Sequence, residues 1–556
     1  MTRAPGRLFR VPRSAFHEAP AERPRSCTRC RHQRGTRNSE LGTLFLLLCL
    51  ATPAAAQVPA GDSAWARGDY PAARAHYESA LHDDAGSVRA LYRLGILAAW
   101  DGRLDSALAL LRDAREMEPG EPDVRLQEAT VLSWKGRYAE SLIKWDSLIV
   151  AHPERRDAAY GRARTLAWAG RLTEADRAYA DLFRSDTTDL DALAGQAQVA
   201  AWRGDLGQAS QYYLRVLARN PGHVGALVGL GQVRQWQGRP GEAEQYVARA
   251  LAVAPADRTA LEAQRAIRAL RRPRADLTLG WSRDSDRNTL WWQNAATSLL
   301  LANGLRGFAS AGVAEASDPV RNGSRLSGEA GLSLDRGHVN LTGALGVRRL
   351  SSDGAADRSP ATWRVASSLR LSPAAGLGAG YAHYSFDETA LLLGRGLDVD
   401  ELSLDADVEP RPGLSLGAGA GTAWLSDDNR RRWLLLAVTQ RVAGHFTVGA
   451  FGRVLGYDTR GDGYFAPDRF LVGEVRGSYT YGVRRWAFRL SGGLGTQKIG
   501  KAGSAQSEWH GEARAARRWS IDNEVALSGG ISNSAESSTT GAFRYYTAAL
   551  TLRLGL

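Results

Sequence analysis

Four histidines in the C-terminal half, His338, His383, His445 and His510, are the first side chains to suggest chemistry. Each stands alone, without the spacing that sets metal ligands side by side. Asp427 and Asp428 imitate a glycosidase pair, but carboxylates adjacent in a turn do not flank a glycosidic bond. Solvating a loop or holding calcium weakly is what such a pair does. Neither a nucleophile elbow nor a phosphate-binding glycine loop occurs. Cys27 and Cys30 form a C-x-x-C pair with no second pair to complete a zinc site. The expectation is a protein that is not an enzyme and has no cofactor and no resident metal.

At 556 residues the chain exceeds one ordinary domain. Its net charge of +12 comes from scattered arginines, many of them within the first 40 residues, which is not the footprint of a nucleic-acid face. Residues 41–57, "LGTLFLLLCLATPAAAQ", form a short apolar run ending in small residues, which reads as a secretory signal cleaved after Ala56. The run is too short to make a spanning helix. Leu48 before Cys49 argues against a lipid anchor. The basic leader ahead of the signal is long enough to suggest a true start downstream of Met1. Residues 1–56 are thus expected to be leader and signal, and the exported protein to carry no cysteine.

From 57 to 272 the sequence repeats. Gly68, Gly102, Gly136, Gly170, Gly204 and Gly238 recur every 34 residues, and Trp100, Trp134, Trp168, Trp202 and Trp236 each stand two residues before a glycine. Ala or Ser follows the glycine, as in "WKGRYAESLIKW", and proline closes units at 119, 153, 221 and 255. Such a period resembles the tetratricopeptide repeat, a helix–turn–helix unit whose stack offers an extended surface to partners. Six units are expected. The glycine would let paired helices approach, the alanine would sit at their crossing, the proline would end the second helix, and the tryptophans would fill the gap between helices.

At residue 273 the character changes to segments of about ten residues alternating apolar with polar. In "LTLRLGL" the leucines 550, 552, 554 and 556 share one face. Sixteen candidate strands follow to residue 556. Long polar connections ("SDDNR", "DTRGDGYFAP", "FDETALLLGRG") alternate with short ones ("LANG", "DRG", "PRPG"). That alternation, with polar and charged residues opposite the apolar face, predicts an antiparallel transmembrane β-barrel. Its long loops are expected outside the outer membrane, and the repeats with both ends of the barrel in the periplasm. Trp281, Trp291, Trp292, Trp363, Trp424, Trp433, Trp486, Trp519, Tyr545 and Tyr546 are candidates for interfacial girdles. The chain ends on Leu556, whereas such barrels usually end on an aromatic that the barrel assembly machinery reads.

Export signal, repeats and barrel in that order resemble the outer-membrane exopolysaccharide export porins of the cellulose synthase and poly-N-acetylglucosamine type, with the YaiO-type barrels as close relatives. "LGYDTRGDGYFAPDRF" is similar to the Gly-Tyr-Phe-Ser-Pro-x-x-Tyr loop of the cellulose-type barrel, with Ala466 for Ser and Phe470 for Tyr. "WLSDDNRRR" is similar to a Ser-Asp-Gly-Asn-x-Arg loop, with Asp428 for Gly. The resemblance implies passive conduction of a polysaccharide chain, with synthase components of the periplasm or inner membrane docking on the repeats. It implies a pore lined by Glu329, Arg364, Arg370, Glu401, Asp405, Asp407, Glu409, Glu474, Arg476, Arg489, Glu508, Glu512, Arg514 and Arg553. The acids of 401–409 would guide a cationic sugar. Asp427, Asn429, Arg430, Tyr464, Phe465 and Pro467 would form an outer loop or gate. The other reading is a scaffold whose barrel is mainly an anchor. Inward Gly417, Gly419, Gly421, Ala526, Ser528 and Gly530 favour open space and hence a pore.

Overall fold

The computed structural model describes residues 54–372, 374–411, 413–535 and 541–556. The expected leader and nearly all of the export signal lie outside them. The described chain forms two compact units, one ending at Val216 and the other starting at Leu217.

The helices come in pairs: α1 (Ala54–Ala66) with α2 (Tyr70–Asp83), α3 (Val88–Trp100) with α4 (Leu104–Met117), and α5 (Pro122–Trp134) with α6 (Tyr138–Ala151). Then come α7 (Arg156–Trp168) with α8 (Leu172–Ser185), α9 (Leu190–Trp202) with α10 (Leu206–Arg219), and α11 (Val224–Trp236) with α12 (Pro240–Val253). A single helix, α13 (Arg258–Arg271), closes the series. From α3 onward the repeating tryptophan is the last residue of the first helix in each pair.

The glycine that follows has a role other than the expected close approach. Gly102, Gly136 and Gly170 have φ of 77°, 81° and 77°, and a Cβ on any of them would touch nothing. Gly102 N–H donates to Ala99 O at 3.0 Å and Arg103 N–H to Ala98 O at 2.9 Å, a helix stop that needs a left-handed residue. Close approach is provided elsewhere. A Cβ on Gly161 would lie 2.5 Å from the Trp145 ring, and one on Gly195 would lie 2.4 Å from Tyr179. The small residue five places after each stop (Ala73, Ala107, Ser141, Ala175, Ala209, Ala243) is fully buried. Pro119 and Pro153 fall just past the C-caps Glu118 and His152.

The strands run β1 (Arg274–Asp284), β2 (Thr289–Ala302), β3 (Leu305–Ser317), β4 (Asn322–Asp335), β5 (Val339–Ser352), β6 (Ala361–Ser372) and β7 (Ala375–Ser385). After a short helix, α14 (Ala390–Arg395), they continue as β8 (Asp398–Arg411), β9 (Leu414–Leu425), β10 (Arg430–Ala443), β11 (Phe446–Tyr457) and β12 (Phe470–Val483). The last four are β13 (Trp486–Ile499), β14 (Ala505–Arg518), β15 (Glu524–Ser532) and β16 (Tyr545–Gly555). Each pairs antiparallel with its chain neighbours, and β1 pairs with β16 from Arg274↔Gly555 to Asp284↔Tyr545, closing the barrel. Closure leaves no unpaired sheet edge, the condition for crossing a bilayer with strands.

Outward positions are apolar and exposed, such as Leu402 and Leu404 on β8 and Leu434, Leu436 and Val438 on β10. Three aromatics expected in the girdles instead face inward. Trp292 covers Gly280, Trp433 covers Gly421, and Tyr545 sits opposite Ser532. Adjacent residues on a strand point to opposite faces, so pairs such as Trp291–Trp292 must split.

In the second unit, the last helix pair and α13 rest on the short-turn rim. A Cβ on Gly238 would be 2.6 Å from Asp335 O, and the Arg306 guanidinium donates to Leu270 O at 2.7 Å.

Candidate functional site, two latched loops at the mouth of the barrel

Two long connections fold into the barrel at the end away from those helices. The β7–β8 connection was expected to be a plain polar loop, but it carries α14. Thr389 Oγ1 caps the helix by accepting from Leu392 N–H at 3.3 Å, and Gly396 ends it at φ 64°. Leu393 is buried with Ala316 and Leu350, against β3 and β5, with Leu290 of β2 beside them. Leu392 is buried with Val399, Leu455, Phe470 and Val472, from β8, β11 and β12. Neighbouring leucines of one helix thus reach different arcs of the wall. Polar pins hold the segment. Arg325 donates to Asp387 at 2.7 Å, Arg348 also pairs with Asp387, and Ser352 Oγ donates to Ala390 O at 2.7 Å.

The second loop, 458–469, lies against the first. Tyr464 is 6% exposed, within the cluster that holds Phe386 and Leu392. Its hydroxyl donates to Asp427 Oδ2 at 2.8 Å and accepts from Asn429 Nδ2 at 2.8 Å. Asn429 also donates to Thr459 O at 2.9 Å, and its Oδ1 accepts from Thr459 N–H at 3.0 Å. The β9–β10 and β11–β12 connections are therefore latched together. Burial, with the Asp427 carboxylate beside it, holds the Tyr464 phenol above its ordinary pKa. Asp428, which stands where the similar loops carry Gly, has φ 63°, a conformation that glycine adopts at less cost. Phe465 packs edge-on to Phe470 with centroids 5.5 Å apart, and Pro467 O accepts from Tyr457 N–H at 2.9 Å.

Arg430 departs from the expected gate set. Opposite Trp424 on the outer face, its guanidinium lies 5.4 Å from that ring. Arg431, one residue on, takes the inward place. Its Nη2 donates to Tyr384 Oη at 3.1 Å and lies 3.1 Å from Glu401. Tyr384 Oη and Trp433 Nε1 both donate to Glu401, each at 2.9 Å. Both Glu401 oxygens are thus engaged within the wall, which does not suit a guide for a cationic sugar. Parity along β10 separates the two arginines, so the sequence held that signal.

Strand register puts Glu329, Arg364, Arg370, Asp405, Asp407, Glu474, Arg476, Arg489, Glu508, Glu512, Arg514 and Arg553 on the inward face with Glu401. Glu409 lies past a register shift and accepts from Gly413 N–H at 2.8 Å, as a turn cap. Several inward charges pair across the wall: Arg364 with Glu329 at 2.8 Å, Arg553 with Asp276 at 2.8 Å, and Arg518 with Glu524 at 2.6 Å. A cleft of about 590 Å³ is lined by Arg453, Glu474, Arg476, Glu508, His510 and Tyr545. Arg489, Glu512 and Arg514, toward the short turns, are exposed. The inward glycines do not all leave space, since a Cβ on Gly421 would lie 2.6 Å from the Trp433 ring. His510, which looks isolated in the sequence, has its Nδ1 3.0 Å from Glu474 Oε2 and 3.5 Å from Glu508 Oε1.

Tetratricopeptide repeat family models match residues 58–122 and 203–267. No curated protein matches the sequence significantly. Among solved structures, a bacterial polysaccharide outer membrane secretin is similar at a TM-score of 0.41 and 14% identity, covering 50% of this chain and 98% of that one. A tetratricopeptide repeat protein from Parabacteroides merdae is similar at a TM-score of 0.37 and 16% identity, over 40% of this chain and 86% of its own. The chain joins tetratricopeptide repeats to a closed antiparallel barrel of sixteen strands with an apolar outer face, an architecture that fits an outer membrane.

Proposed function

We propose that the chain is an outer-membrane export pore for a polysaccharide, with residues 57–272 as a periplasmic docking arm and 273–556 as the pore. In this reading a folded plug of two loops closes the outer mouth at rest. The observation that carries it is the latch. The two segments similar to exporter loops, far apart in sequence, meet at Tyr464, Asp427 and Asn429 above a polar lumen. The plug rests on side-chain contacts, an apolar cluster with hydrogen bonds and ion pairs, which a chain pushing from below can displace without breaking the barrel's ladders. Placement of the last repeat on the short-turn rim supports a partner-binding arm at the entrance, where synthase components would hand over the polymer.

The apolar cluster around α14 favours a second reading, a closed barrel that anchors the repeats. Planar-bilayer recording separates the two. The wild type should conduct rarely, and a variant with residues 387–396 replaced by a short glycine–serine linker should conduct steadily. A gene deletion should abolish secreted polymer. Unchanged secretion, with no conductance from the linker variant, overturns the pore in favour of the anchor.

A further inference from the structure

Beside the plug, and taking no part in it, three inward side chains of β12 and β14 converge across the strand between them. Glu474 and Glu508 are 7% and 3% exposed; Glu508 Oε2 has no hydrogen-bond partner, and Glu474 Oε2 has only His510 Nδ1, at 3.0 Å. His510 Nδ1 faces both carboxylates, and one ligand atom from each of the three residues lies within 4.8 Å of the others. The convergence depends on what β13 lacks. A Cβ on Gly493 would sit 2.2 Å from Glu474 Oε2 and 2.4 Å from His510 Cε1, and one on Gly495 would sit 2.6 Å from Glu474 Cβ. Two glycines therefore clear a hollow in the wall that any larger residue would fill.

Two buried carboxylates facing one another, one of them with an oxygen left unpartnered, are costly unless a cation joins them. Arg476 occupies only the far side, its Nε donating to Glu474 Oε1 at 2.8 Å, which orients that carboxylate and leaves Oε2 toward the hollow. We propose that Glu474, Glu508 and His510 form a binding site for a divalent transition-metal ion of the zinc class. The spacings of 3.0 and 3.5 Å from His510 Nδ1 to the two carboxylate oxygens are close to the roughly 3.3 Å between neighbouring ligands of a tetrahedral ion with bonds of about 2 Å, as in zinc sites. One imidazole and two carboxylates suit that class, and the adjoining cleft gives access and room for a completing water. The ion joins β12 to β14 over the glycines of β13 and offsets the two negative charges inside the wall.

The test uses the full-length protein in detergent, without a histidine tag, equilibrated with Zn²⁺ alone. Bound metal is counted by mass spectrometry and affinity measured against a competing dye. One tightly bound equivalent is expected, weakened roughly tenfold or more in Glu508→Gln and in His510→Ala. Glu154→Gln, an exposed carboxylate in the repeats, should bind as the wild type does. Zn²⁺ should raise the unfolding temperature of the wild type but not of Glu508→Gln. The heat-shifted gel mobility of a folded barrel checks that each variant is folded. A wild type with no stoichiometric zinc overturns the site, as does zinc held equally by the wild type and both variants. Either result leaves the export reading standing, because the site contributes nothing to the latch.

Discussion

Trp145 and Trp291 are the same residue doing opposite work in the two regions. In the repeats Trp145 is 1% exposed, packed on Gly161, with Nε1 donating to Thr165 Oγ1 at 3.0 Å. On the outer wall of the barrel Trp291 is 59% exposed, beside Trp281 with centroids 6.1 Å apart. Repeats hold together through small apolar clusters renewed in each unit, so every core residue counts locally. The barrel holds together through closed ladders, and its outer apolar residues face lipid whether or not a neighbour is present. Where the barrel does bury a large apolar cluster, loops have supplied about half of it, and that is where the two inward-folded connections meet.

The largest expected effect tests that contrast directly. Trp145→Ala should cost about 3–5 kcal/mol in the repeats, read as an early loss of helical circular dichroism on heating. Trp291→Ala should leave the unfolding of the barrel nearly unchanged, and equal losses would break the comparison. Next, Tyr464→Phe removes the bond to Asp427 and leaves one buried Asn429 N–H without its acceptor, which should weaken the latch by about 1–3 kcal/mol. Faster hydrogen exchange in 458–469 and more frequent channel openings would register it, and an unchanged loop would show that the plug does not depend on the latch.

Glycines sharpen the contrast at a smaller scale. Gly136→Ala, at φ 81°, should destabilise by about 1 kcal/mol. Gly473→Ala, in an extended strand with nothing within 4 Å of its Cβ, should cost nothing measurable by the same thermal melt. The smallest effect concerns pH. Hydrogen bonds from the Thr188 hydroxyl and backbone N–H hold Asp186 below the usual carboxylate range. A depressed folded pKa contributes stability above the unfolded value and loses it as pH falls through the folded one. Between neutral pH and about pH 3, Asp186→Asn should therefore flatten the fall in the melting temperature of the repeats slightly.

The repeats were legible because their signal is a spacing. A 34-residue period sets the helix stops, the buried small residues and the position of each tryptophan, although the stopping glycine works through backbone conformation and not through close approach. The strands were legible because alternation and turn length are also local. Harder to read were side chains whose role depends on parity within a dipeptide, such as Arg430 and Arg431 or Trp291 and Trp292. The helix α14 carried a signal that was missed, since Thr389 before a leucine run and Gly396 after it form a start and a stop.

By itself the sequence determined the repeat period, the strand number, the order of long and short connections and the polarity of the two wall faces. All of these follow from periodicities of a few residues. Only the tertiary structure decided that two connections turn inward, that Tyr464 meets Asp427 and Asn429, and that Glu474 meets Glu508 and His510. Those meetings depend on how a closed barrel curves strands toward one another and on where glycine leaves room across an intervening strand. No local pattern encodes that distance.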